Sequence, residues 1–287
     1  MKNNICSITD TCKPNNEDIY GATNNSCWIM DGALPLNRSN FTDESNDVVW
    51  MVNWWQNYLK NHMDQFDKSI VTILEEGVAQ INHEFSRFAN INELGKLDRA
   101  SAGIAVVRIN NGNVESFVLG DVEINIKTDK GIVTLVDGKV EALDKKVMDM
   151  IFDNPNREME FSFNGYTKEE LRVLRENRSK MNSEDGYYIL EHDVSAIKNG
   201  IYEEYQLDNV KEILMMSDGF SSIHNKYKLL SVEDLLAKSK NEGIESILKT
   251  IRDIEKSDPG IETYKRLQRH DDATAVYIRM DQIAAAG

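Results

Sequence analysis

The chain has 287 residues, 41% hydrophobic and 28% charged, with 33 Lys and Arg against 48 Asp and Glu for a net charge of −15. That suits a folded globular chain with enough material for one large domain or two small ones. The acidic balance argues against nucleic acid and anionic membranes as partners and suits a protein that gathers cations, and no run of about 20 apolar residues is present to span a bilayer.

The opening Met-Lys-Asn-Asn-Ile has no signal-peptide apolar region. The three cysteines, Cys6, Cys12 and Cys27, lack metal-type spacing, so reduced thiols and a cytoplasmic setting are expected. Residues 4–9 read as a first strand. A polar loop follows, carrying Lys13, Glu17 and Asp18 into a second short strand, and the strand at 24–31 closes on Asp31-Gly32. Apolar steps of three and four predict two amphipathic helices, 44–66 and 68–89, packed as an antiparallel hairpin; Trp50, Trp54 and Trp55 belong to that packing. Residues 101–109, 113–120, 122–128 and 131–136 read as an antiparallel meander turning at Asn110-Asn-Gly112 and Asp129-Lys-Gly131. A helix at 139–152 is expected to stop near Pro155.

Residues 156–200 are polar and irregular, with one helix at 167–181. Strands at 201–206 and Ile213–Ser217 return to the core, the latter closing on Asp218-Gly219. Ser231 caps a helix from Val232, a further helix runs Ile244–Lys256, and Asp271 and Asp272 open a last strand at Ala273–Met280. Without repeats or linkers, residues 1–282 read as one α+β domain, with 283–287 a tail.

Asp-Gly is a common turn dipeptide, and Asp137-Gly138 and Asp185-Gly186 read as ordinary turns. The set Asp31, Asp121, Asp218 and Asp271, each beside an apolar strand, is different. Carboxylates at strand ends offer rigid oxygen ligands, which Mg²⁺ and Mn²⁺ prefer. Each like-charge pair at about 4 Å would cost on the order of 4 kcal/mol at an effective dielectric near 20. Several such pairs call for cations.

A polar loop with a basic residue and Asn16-Glu17-Asp18, then a strand closing on Asp31-Gly32, resembles the opening of the metal-dependent type 2C (PPM) serine/threonine protein phosphatases of bacterial type. Ser101-Ala-Gly-Ile-Ala-Val-Val-Arg108, Val118-Leu-Gly-Asp121, Met215-Met-Ser-Asp-Gly219 and Asp271-Asp-Ala-Thr274 follow in the family's order. The resemblance implies a four-layer α-β-β-α sandwich, with two facing, mainly antiparallel sheets flanked by helical hairpins and a variable flap within 156–200. It implies two Mn²⁺ or Mg²⁺ ions and a bridging water that attacks phosphorus. Asp31 and the carbonyl of Gly32, Asp218 and Asp271 would hold the metals, Glu17 and Asp18 would serve the second ion, and Asp121 would serve a third. Lys13 stands where the family has a phosphate-binding arginine; it brings charge without the bidentate fork.

Other departures are Ala33-Leu34-Pro35 after the Asp-Gly, with no histidine to protonate the leaving group, Ser222 where animal members have a second aspartate, and Asp272 in place of an asparagine. The implied partners are a phosphorylated protein and a Ser/Thr kinase or its targets. A catalytically weak regulatory or adaptor protein on the same fold is the alternative. An acidic calcium-binding protein is a third reading, but the chain lacks an EF-hand loop.

Overall fold

The computed structural model describes residues 4–153 and 166–280. Ten strands and seven α-helices run through these segments. The first half holds β1 (Ile5–Asp10), β2 (Ile19–Ala22), β3 (Ser26–Ala33), α1 (Asp47–His62), α2 (Ile70–Phe85), β4 (Ser101–Asn110), β5 (Asn113–Leu119), β6 (Glu123–Thr128) and β7 (Gly131–Leu135). The second holds α3 (Lys139–Phe152), α4 (Lys168–Ser179), β8 (Ile201–Gln206), β9 (Val210–Met216), α5 (Asp218–Asn225), α6 (Val232–Glu242), α7 (Ile244–Ser257) and β10 (Ala273–Arg279).

The strands form two five-stranded sheets, β1-β10-β9-β6-β7 and β2-β3-β4-β5-β8, and every pairing is antiparallel. Alternation along each strand builds the layers, because successive side chains point to opposite faces. Cys27 and Ile29 of β3 pack with Ile124, Met215 and Val276 between the sheets. Trp28 and Met30, their neighbours in sequence, pack outward against α1 and α2. On the other side Leu214 and Met216 of β9 meet α5, α6 and α7. This is the α-β-β-α sandwich that the motif resemblance implied.

The first helical layer forms where the periodicity placed it, with shorter ends. Asn46 and Ser69 cap α1 and α2, accepting from Val49 N at 2.8 Å and Thr72 N at 3.0 Å. Trp55 is fully buried over Gly77 of α2, where a Cβ would come within 2.4 Å of the indole ring. Arg108 of β4 is also fully buried. It pairs with Glu115 and donates to the carbonyls of Met63, Gln65 and Lys68, fastening the α1–α2 connection to the sheet.

The expected four-strand meander is divided. β4 and β5 lie in one sheet, β6 and β7 in the other. The chain crosses over at Gly120, whose φ of +89° is open to glycine and strained for other residues. The crossing leaves Asp121 at the shared end of both sheets. The helix expected at 167–181 is present as α4, closed at its start by a Thr167–Glu170 capping box. The sequence reading around Pro155 and the first part of the irregular stretch fall on 154–165, outside the described residues.

Candidate active site

Strand register brings the acidic residues together. β2 pairs with β3 so that Ile19 faces Met30, which sets Asp18, one residue earlier, beside Asp31. β9 pairs with β10 so that Met216 faces Ala275, which brings Asp218 to the approach of β10 where Asp271 and Asp272 lie. Ser217 ties this junction: its N–H donates to Thr274 O and its Oγ accepts from Thr274 N, both at 2.9 Å. The two sheets then touch through the acids, the N–H of Asp218 donating to Asp31 Oδ2 at 3.1 Å.

The glycines here are needed for close approach, where a turning backbone was expected. β3 does not end at Asp31-Gly32; it continues to Ala33, paired with β4. A Cβ on Gly32 would lie 2.5 Å from the Glu17 carbonyl oxygen. Gly219 sits in the first turn of α5, and a Cβ there would lie 2.0 Å from the Asp272 carbonyl oxygen. Gly103 admits Asp121, its Cβ position standing 3.1 Å from Asp121 Oδ1.

Lys13, Glu17, Asp31, Gly32, Asp121, Asp218 and Asp271 all line one cleft of about 530 Å³. Asp18 lies beneath it, 5% exposed; neither of its carboxylate oxygens has a hydrogen-bond partner at normal distance, although the Ser217 and Thr274 hydroxyls stand near enough to oppose the effect of burial on its carboxyl. Burial pushes its carboxyl up to about 8. Burial likewise lifts Asp31 well above the usual range, reinforced by Asp18, Asp218, Asp121 and Asp271. Glu17 and Asp121 are each pushed up to about 7, again chiefly by burial. Glu17 keeps a hydrogen bond from Asn46 Nδ2 at 3.1 Å, linking the cluster to the cap of α1.

Two lysines answer part of this charge. Lys13 Nζ stands 2.9 Å from Asp271 Oδ1 and 3.5 Å from Asp272 Oδ2. Lys226 Nζ stands 2.8 Å from Asp218 Oδ2. Burial would raise the Asp218 carboxyl, but the charges of Lys226 and Lys13 outweigh it and hold it below the usual carboxylate range. Asp272, in the asparagine position, is 3% exposed and accepts from Thr11 Oγ1 at 2.5 Å and Glu17 N at 2.9 Å. It fixes the loop that carries Lys13 and Glu17.

The sequence reading missed three residues. Lys226 follows Asp218 by eight positions, and nothing in its local context marks it. Asp144 of α3 reaches the same cleft, with its carboxyl pushed up to about 6, mainly by burial. Arg178 of α4 is 8% exposed and donates to Arg99 O at 3.0 Å and to Ala33 O and Leu34 O at 3.5 Å. It pins α4 against the chain just past Gly32.

Among the described residues no group of three or more His, Cys, Asp or Glu side chains is arranged to hold a metal ion as it stands. Asp218 and Asp271 are each paired with a lysine. The donor set still fits hard cations. It is made of oxygen, it carries excess negative charge, and Asp18 offers two buried oxygens with no hydrogen bond at normal distance.

Facing antiparallel sheets with an acidic centre at one end define the architecture of the phosphatase class that the motifs resemble. The sequence model described as "Protein phosphatase 2C" matches residues 13–251, and the chain belongs to that family, a family of serine/threonine protein phosphatases. Solved structures share the fold at low identity. The serine/threonine phosphatase PstP/Ppp of Mycobacterium tuberculosis is 12% identical, with 96% of this chain and 97% of that one covered at a TM-score of 0.52. Stp1 of Staphylococcus aureus is 11% identical over 96% and 94%, at 0.54. A bacterial serine phosphatase is 13% identical over 96% and 97%, at 0.55. A further structure of the PstP catalytic domain holds two manganese ions. No curated protein matches the chain.

Proposed function

We propose that this protein hydrolyses phosphoserine and phosphothreonine on protein substrates with two divalent cations, Mn²⁺ or Mg²⁺, held by Asp18, Asp31, the Gly32 carbonyl, Asp218 and Asp271. The observation that carries this reading is the Asp18 carboxylate, buried beside Asp31 with no hydrogen bond at normal distance. A structural aspartate in that position would be satisfied by donors. When bound, the cations neutralise the cluster and make a water nucleophilic near neutral pH.

The chain's own residues do the rest. Asp31, in contact with the N–H of Asp218, joins the two sheets across the centre. Lys13 at the cleft brings the positive charge that binds the phosphate. Glu17 and Asp272 hold the loop bearing it, through the Glu17 N–H bond to Asp272 Oδ2 at 2.9 Å. Asp121 is left to serve a third ion, while the Ser222 hydroxyl donates to Gly219 O at 2.7 Å.

The regulatory reading draws no support from the site, where every matched carboxylate is gathered in one place. No helix among the described residues is long and apolar enough to cross a membrane. With a net charge of −15, we read the chain as one phosphatase domain acting in the cytoplasm on the targets of a Ser/Thr kinase. The test is turnover of para-nitrophenyl phosphate with and without added Mn²⁺. Metal-dependent turnover lost in EDTA is expected. Absence of turnover at any Mn²⁺ or Mg²⁺ concentration would overturn the reading.

A further inference from the structure

A second cavity, of about 270 Å³, opens beside the acidic centre between α3, the end of β7, α5 and the loop leading to β10. Asp121, Asp144, Asp218 and Asp271 line both it and the main cleft. Its volume falls just below the range of pockets that enclose a whole small molecule, roughly 300–1,000 Å³. It has room for one long side chain.

Val136, Met148 and Leu267 form an apolar wall, and Val136 is 38% exposed at the rim. The charges that line it are not balanced. Both cationic side chains on the wall already have a carboxylate, Lys226 with Asp218 at 2.8 Å and Arg266 with Asp258 at 3.0 Å, and the His224 ring is hydrogen-bonded to Glu123 at 3.0 Å. Lys226 must also answer Asp144, and Asp137 and Glu141 have no cationic partner among the described residues. An apolar wall beside unpaired acids complements a side chain with a hydrocarbon stem and a cationic head.

We propose that this cavity is a subsite for a lysine or arginine side chain of the phosphoprotein, close in sequence to the phosphorylated residue. The proposal rests on the phosphatase reading and names what that site selects. Because the two cavities share a wall and an extended chain advances about 3.3–3.6 Å per residue, the basic residue lies within about three positions of the phosphoresidue.

The test uses the full chain with Mn²⁺ and labelled peptides carrying a non-hydrolysable phosphonate in place of the phosphate. A single flanking position at a time is Lys, Ala, Leu or Glu, and binding is read by fluorescence anisotropy. At one or more positions the Lys peptide should bind about three- to fivefold tighter than the Ala peptide, the gain expected of a partly exposed ion pair. The Glu peptide should bind more weakly. Glu141→Gln combined with Asp137→Asn should bring the Lys-to-Ala ratio near one; because a ratio is read, any general loss of affinity cancels. No preference at any position, a preference for Leu equal to that for Lys, or a ratio that survives the double variant would overturn the subsite. Basic preference without para-nitrophenyl phosphate turnover would strike the phosphatase reading alone. Turnover without basic preference would strike the subsite alone.

Discussion

Lys226 and Asp218 lie at opposite ends of one short helix, yet Lys226 Nζ sits 2.8 Å from Asp218 Oδ2. The helix thus carries both a proposed metal ligand and the cation that occupies it when no metal is bound. Lys226→Met should lower the stability of the metal-free protein, because it leaves Asp218 facing Asp31 and Asp271 uncompensated. With side chains 24% and 28% exposed, the loss should be on the order of 1–3 kcal/mol, between surface and buried pairs. Mn²⁺ should then stabilise the variant more than the wild type, since no ammonium has to be displaced. Melting curves with and without Mn²⁺ check this, and an equal metal-induced rise in both proteins would contradict it.

The pH dependence of the metal-free protein follows from the raised carboxyls. Asp18 is pushed to about 8, and Glu17 and Asp121 to about 7, against unfolded values of about 3.9–4.3. Between these limits the folded state holds more protons than the unfolded one, so stability falls as pH rises. Each such proton contributes about 1.4 kcal/mol per pH unit at most, less where the groups share protons. Metal-free protein should therefore be more resistant to urea at pH 5 than at pH 8. Bound Mn²⁺ should reverse the trend, because it needs the carboxylates ionised. Urea midpoints at the two pH values, in EDTA and in Mn²⁺, measure both signs.

Gly219 offers a purely steric test. A Cβ would lie 2.0 Å from the Asp272 carbonyl oxygen, and that atom belongs to the backbone and cannot swing aside. Gly219→Ala should cost at least about 1–3 kcal/mol and separate Asp218 from Asp271. Its urea midpoint should fall, and metal-dependent turnover should fall further than the loss of folded protein explains. A fully stable, fully active variant would show that the start of α5 and the approach to β10 do not meet so closely.

Apolar alternation and helical steps made the strands and helices legible, whereas the layering was legible only through the motif resemblance, since periodicity alone shows α+β. The sequence also marked Asp31, Asp121, Asp218 and Asp271 through their strand-end contexts. The division of the 101–136 meander between two sheets was not legible, because hairpin spacing looks the same whichever sheet a hairpin joins. Gly120, with its φ of +89°, was the local sign of the crossing. Lys226, Asp144 and Arg178 were hidden for a related reason. Their partners lie on other elements or beyond a helix whose length the sequence did not define, and no local pattern records a contact made through tertiary packing.

Asp18 separates a metal ligand from a structural carboxylate most directly. Its oxygens are buried with no hydrogen bond at normal distance, and burial holds its carboxyl at about 8. In metal-free protein this residue is a cost of folding at neutral pH. Asp18→Asn keeps the shape and removes the ionisable group, so the metal-free variant should be more stable than wild type at pH 7–8, by on the order of 1–3 kcal/mol. At pH 5, where the wild-type carboxyl is protonated in the folded state, the difference should shrink. In millimolar Mn²⁺ the order should invert, because the amide no longer supplies the charge that binds the cation, and stabilisation by a ligand scales with its affinity for the folded state. Titration calorimetry should show weakened or lost Mn²⁺ binding, independent of any turnover assay. If Asp18→Asn destabilised the metal-free protein and left Mn²⁺ affinity unchanged, Asp18 would be a structural residue and the second metal position would have to be built from other groups.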